Sequence, residues 1–132
     1  MLFPLRPIAK PRMTRSDQWR RGSDVRKCVR KYRDYKKQIQ MYAQAQHYEL
    51  PDSFTVVFGI PFPKSYNETK RNKLLGQPHQ IKPDVDNLIK GLMDCLKSYD
   101  QSVWHVDARK VWTAGAGFID VQENDYEVDS VE

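Results

Sequence analysis

Apolar positions Val25, Cys28, Val29, Tyr32, Ile39, Tyr42 and Ala43 recur at three- and four-residue spacing with Lys and Arg between them. That period predicts a long amphipathic helix from Ser23, with Ser23 or Asp24 as its N-cap and one strongly basic face. Phe54 to Ile60 is dense in β-branched and aromatic residues and carries no interior charge, which predicts a buried strand in the middle of a sheet. Leu88, Ile89, Leu92, Met93, Leu96 and Tyr99 fall on one side of a second helix that Asp86 can cap. Lys110 to Gln122 reads as a final strand. Its small residues Ala114, Gly115, Ala116 and Gly117 suggest a close approach to a helix or a subunit partner. Residues 1–9 carry Pro4 and Pro7, so any strand there is short and at an edge.

Three polar stretches separate these elements. Residues 10–22 hold five basic residues and Trp19 without an apolar period, the composition of a phosphate-seeking loop. Residues 61–82 contain Pro61, Pro63, Gly76 and Pro78 among polar residues, and predict a long loop with room for a short helical turn. Residues 100–108 read as a connection holding Trp104 and Asp107. Together these elements indicate one α+β domain, a size that 132 residues can fill around a single core.

Charge is unevenly spread. Residues 1–37 hold 13 Lys and Arg against 3 Asp and Glu, whereas residues 38–121 hold 9 of each. A positive block beside a neutral body is the footprint of a polyanion binder, although a solvated basic face gives the same count. Residues 122–132 hold five acids and no base, and read as an acidic tail following a domain at 1–121. No apolar run approaches the length of a bilayer span, and Arg6 and the prolines interrupt the start, so neither secretion nor membrane insertion is expected and the cytoplasm is the expected compartment. Cys28 and Cys95 lack close Cys or His neighbours and are expected to be reduced, buried packing residues.

The chemistry concentrates in Pro83-Asp84-Val85-Asp86-Asn87-Leu88-Ile89-Lys90 and Trp104-His105-Val106-Asp107. If the chain stays extended to Asp86, the two-residue period points Asp84 and Asp86 to one side. Two neighbouring carboxylates repel unless they share a proton or a cation neutralises them. Mg²⁺ suits such a pair, because it takes one or two carboxylates, keeps several waters and accepts phosphate oxygens. Asp107 could add a third carboxylate, and Lys90, one helical turn after Asp86, could reach a bound phosphate. The plainer reading is that Asp86 is an N-cap, Asp84 a solvated loop residue and Lys90 a salt-bridge partner. His79 and His105 are weaker candidates for ligand or base, since a metal-activated water needs no histidine.

The run Asp84-Val85-Asp86-Asn87-Leu88-Ile89-Lys90, followed by Asp94 and then Trp104-His105-Val106-Asp107-Ala108, resembles the D-x-D-N-L-x-K … W-x-x-D-A signature of RusA-type Holliday junction resolvases. The resemblance covers residues 83–111. It extends to Lys10-Pro11-Arg12-Met13-Thr14-Arg15, which looks like that family's basic N-terminal loop, and to Tyr32-Arg33-Asp34-Tyr35, which looks like its first helix. It implies a RusA-like mixed sheet flanked by helices, metal-binding carboxylates at Asp84, Asp86 and Asp107, a catalytically important Lys90, and a homodimer. The approach to Asp84, Gly76-Gln77-Pro78-His79-Gln80-Ile81-Lys82, is less basic than is usual in the family.

The expected activity is Mg²⁺-dependent cleavage of four-way DNA junctions by paired nicks, in recombination and repair, with Mn²⁺ as a substitute metal. Arg12, Arg15, Arg20 and Arg21 in the loop, Arg26, Lys27, Arg30 and Lys31 on the helix, and Lys70, Arg71, Lys73 and Lys82 in the second loop are the expected DNA contacts, with Arg33, Lys36 and Lys37 extending the helix face. Such phosphate contacts make binding salt-sensitive. Two alternatives stand beside it: a nuclease of the same fold acting on other branched DNA, and a non-catalytic nucleic-acid-binding module whose aspartates only cap and solvate.

Overall fold

A computed structural model of the chain describes residues 1–97 and 100–125. The order of elements is β1 (Leu2–Phe3), α1 (Lys27–Ala45), β2 (Ser53–Pro61), α2 (Glu68–Leu74), α3 (Val85–Leu96), β3 (His105–Thr113) and β4 (Phe118–Glu123), with 3₁₀ turns at Arg15–Gln18, Gly22–Asp24 and Asp100–Ser102. The strands form one mixed sheet in the order β1-β4-β2-β3, parallel between β2 and β3 and antiparallel elsewhere. This is an α+β single domain, a small mixed sheet flanked by helices. Among the described residues no helix is long and apolar enough to cross a membrane.

Alternation along β2 turns Phe54, Val56, Phe58 and Ile60 to one face, all buried. Tyr32, Tyr35, Ile39 and Ala43 of α1 and Leu88, Leu92 and Cys95 of α3 cover that face, and Ile119 and Val121 of β4 complete the core. Each fully buried Val, Leu, Ile or Phe among them contributes roughly 1.5–3 kcal/mol. Burial pushes the Cys95 thiol up to about 11, so it packs as a small apolar group. Cys28 departs from expectation and is exposed, because helical rotation places it beside the core stripe that Val29 enters.

The short edge strand and the central strand stand where the sequence places them. The first helix starts later than expected, at Lys27. Val25 and Arg26 are extended, and Ser23 and Asp24 belong to a separate 3₁₀ turn. The second helix is capped by Asp84 and not by Asp86, and it is assigned as far as Leu96; Tyr99 lies outside the described residues. The expected final strand is two strands, and the connection at 100–108 ends at His105, so Asp107 belongs to β3.

The small residues 114–117 are a crossover rather than a packed strand. β3 and β4 lie on opposite sides of β2, so the chain between them must pass over the end of β2. Gly117 has φ +102°, and a Cβ there would lie 2.9 Å from the Gly59 carbonyl oxygen and 3.0 Å from Arg6 Cα. β4 continues through Glu123, and the Thr55 hydroxyl donates to Asn124 Oδ1 at 2.7 Å, so ordered structure passes residue 121. The rest of the acidic tail, 126–132, lies outside the described residues.

Candidate active site

The acid-bearing turn sits where β2 has crossed over through α2 and the chain enters α3. Asp84 is extended (φ −71°, ψ 141°) and Val85 opens the helix, so the expected two-residue extended period stops one residue short of Asp86. Asp86 instead lies in the first turn of α3. Both carboxylates are exposed, and the positive end of the helix dipole favours them there. Asp84 makes no side-chain capping hydrogen bond, although the N-cap position normally recruits a carboxylate for that purpose. Its oxygens therefore stay available to an external group. Lys90 Nζ is 4.0 Å from Asp86 Oδ2, with both side chains about two-thirds exposed, a pair that contributes little to stability.

Lys110, not singled out by the sequence, fixes this turn. It shares the inward parity of Val106 and Ala108 on β3, and its ammonium donates to the Pro83 carbonyl at 2.7 Å and also to the Ile81 carbonyl. An inward lysine on an edge strand was the available signal. On the other side, the Lys10 amide donates to the Asn87 carbonyl at 3.3 Å, and Lys10 Nζ lies 3.3 Å from Asp94. Asp94 also accepts from the Tyr32 hydroxyl at 2.6 Å and pairs with Lys36 at 3.4 Å. Its pKa falls despite burial, because Tyr32, Lys36 and Lys10 stabilise the charged form. A Cβ on Gly91 would meet the Ile8 carbonyl oxygen at 3.2 Å, so glycine lets the N-terminal arm lie close along α3.

This packing leaves a cleft of about 470 Å³ lined by Ala9, Lys82, Pro83, Asp84 and Asn87. A second cleft of about 580 Å³ adjoins it through Ala9 and Pro83 and is bordered by Arg6, Lys31 and Gln38. Asp34 also borders the second cleft, so the trough carries Lys82, Arg6 and Lys31 beside Asp84 and Asp34 and is mixed in charge.

A model of the family Endodeoxyribonuclease RusA matches residues 4–124 of the 132-residue chain. The chain belongs to the RusA family of endodeoxyribonucleases. No curated protein and no solved structure matches it.

Within this RusA-family chain the remaining residues singled out from sequence fall in different places. Asp107 is exposed on β3 opposite Thr55, with the outward parity of Arg109 and three residues before Lys110. Its neighbours Val106 and Ala108 face the core, so Asp107 points to the sheet face away from α3. Among the described residues no group of three or more His, Cys, Asp or Glu gathers to hold a metal. Two exposed carboxylates at one turn, Asp86 held only by its surface pair with Lys90, match what Mg²⁺ takes from a protein, so the fit within one chain rests on Asp84 and Asp86 alone.

His105 is tied to Ser53 at 3.0 Å, and His79 is buried with its ring 4.3 Å from Trp112, away from the acids. Arg12, Arg15, Arg20, Arg21, Lys27, Arg30, Lys31, Lys70, Lys73 and Lys82 are exposed. Arg26 and Arg71 are half-buried and serve the fold. Arg26 grips Asp17 with Nε and Nη2 at 2.9 and 2.6 Å, while Arg71 donates to the Tyr66 and Pro63 carbonyls.

Proposed function

We propose that this protein is a Mg²⁺-dependent endonuclease, with Mn²⁺ as a possible substitute, that resolves four-way DNA junctions by paired symmetric nicks during recombination and repair in the cytoplasm. The observation that carries the reading is the Asp84 carboxylate, placed at a helix N-cap yet unused for capping, with Asp86 and Lys90 beside it in a chain of the RusA family. A bound Mg²⁺ would supply Lewis acidity at the scissile phosphate and acidify the attacking water. Asp84 and Asp86 would hold it, and Lys90 would steady negative charge growing on the phosphate or the leaving oxygen. Lys110 keeps the turn in place through the Pro83 carbonyl. The exposed bases of the N-terminal loop and α1 would bind the backbone. Two identical sites related by a two-fold axis match two symmetric nicks, which favours a homodimer. Asp107, the third ligand that the family signature implies, faces the other side of the sheet within one chain and would reach the centre only through a partner subunit.

Incubation with a synthetic four-way junction, with Mg²⁺ or with chelator and beside duplex and flap controls, tests the reading. Paired nicks that need metal are expected on the junction. Asp86→Asn should lower cleavage on the order of 100-fold or more while leaving binding intact. Equal cutting of flaps would move the substrate to branched DNA in general. The separation of Asp107 from the other two acids favours a second reading, a non-catalytic DNA-binding module. That module would bind junctions, cut nothing with metal present, and be indifferent to Asp86→Asn.

A further inference from the structure

Trp19 is 74 % exposed, the most exposed large hydrophobic side chain among the described residues. A tryptophan that buries its ring removes about 150–250 Å² from water, so a ring left outside on an ordered turn forgoes a large contribution. The turn is ordered by its own hydrogen bonds. Asp17, 5 % exposed, receives the Arg26 guanidinium through both oxygens and the Thr14 amide at 2.7 Å. The amides of Trp19 and Arg20 both donate to the Ser16 carbonyl, at 3.1 and 3.2 Å. Arg21 donates to the Gln18 and Arg20 carbonyls, and Arg20 to that of Asp24. The indole thus stands on a prebuilt support with exposed Arg15, Arg20 and Arg21 around it.

We propose that Trp19 is a stacking post for an unstacked base at the branch point of the DNA substrate. The surroundings select this occupant. A protein-docking tryptophan sits at the centre of an apolar patch, whereas the turn around Trp19 offers guanidinium, hydroxyl and amide groups. Positive charge selects a polyanion, and a bare indole selects one whose bases offer an open π-face. Linear duplex hides those faces inside its stack, while a branch point exposes them. The chain enters this loop from Lys10, whose amide is bound to Asn87 next to Asp86, so the segment that carries the post begins beside the acids. The inference rests on the DNA-binding part of the proposed function and is independent of cleavage.

Polarisation binding of a labelled four-way junction and a linear duplex of equal length, in chelator, tests it without any chemistry. Trp19→Ala should weaken junction binding about ten-fold and duplex binding less than two-fold, whereas Trp19→Phe, which keeps a π-face, should retain most of the preference. Equal weakening on both DNAs, no weakening on either, or Trp19→Phe behaving like Trp19→Ala would overturn the post. Wild-type protein that binds neither DNA would overturn the DNA-binding reading with it. Absence of nicking in the metal assay, with the Trp19 effect intact, would leave the post standing and remove only the nuclease.

Discussion

Residues 10–24 and 61–82 are alike in composition, each with five Lys and Arg among prolines, glycines and polar residues, yet the fold treats them oppositely. The second segment is docked. Phe62 stacks on Trp112 at 5.5 Å and 8°, Tyr66 lies 5.6 Å and His79 4.3 Å from the same indole. The Gly76 amide donates to the Trp112 carbonyl, the Trp112 amide to Gln77 and the His79 amide to Lys110, so 76–79 runs along the outer edge of β3. Lys70 lies 3.8 Å over the Tyr66 ring, and Arg71 is spent on carbonyls. The first segment has no such aromatic plug. One buried carboxylate, Asp17, gathers it, and its tryptophan and most arginines face outward. The difference lies in the anchoring of the backbone, by an aromatic plug in one segment and by a single buried acid in the other, since most basic side chains of both segments stay exposed.

Removing the plug should have the largest effect. Trp112→Ala deletes a buried ring that three others touch, and truncations of this kind cost about 3–5 kcal/mol. Denaturant melts should register that loss, and limited trypsin digestion should open new cuts among Lys64, Lys70, Arg71 and Lys73 first. If those sites stay resistant, the second segment is held by something other than Trp112.

Removing the acid should have a smaller and local effect. The Arg26 guanidinium and the Thr14 amide hold the Asp17 carboxyl far below the usual carboxylate range. The pair therefore persists through mild acid, and its contribution is lost only as pH falls below the ordinary Asp value of about 3.9 toward the depressed one. Asp17→Ala should leave the melting midpoint nearly unchanged, since the loop carries no core residue. Trypsin should then cut at Arg15, Arg20 and Arg21, with 61–82 still resistant. A global loss of stability instead would show that both segments belong to one cooperative unit.

Much of this contrast lies beyond sequence patterns, for reasons visible in particular residues. The β2 run and the body of α1 were legible because periodicity is local. The true start of α1 was not, because Arg26 is fixed by Asp17 and by the Arg12 carbonyl, contacts that span 9 and 14 residues. Asp84 and Asp86 were legible as an acid pair through spacing and family signature. Which of them caps the helix depended on where the backbone turns, and the face Asp107 occupies depended on where β3 begins. The plug could not be read either, since Phe62, Tyr66, His79 and Trp112 come from three stretches that only the folded sheet edge joins.

The smallest effect concerns pH at the plug itself. His79 is 3 % exposed and its Nδ1 has no hydrogen-bond partner, and burial first, then the charge of Lys110, push its pKa below the ordinary value. The unfolded chain therefore binds a proton before the folded one does. Stability from His79 is complete above about pH 6.5 and declines as pH falls below it, by at most about 1.4 kcal/mol per pH unit. His79→Phe keeps a ring against Trp112 and removes the titration. Thermal midpoints measured from pH 7.5 to 5.5 should fall more steeply for wild type than for this variant, by a few degrees at most. Parallel slopes would mean that protonated His79 is accommodated in the folded segment, and that the docked region owes its hold to the Phe62–Trp112 stack and the β3 edge alone.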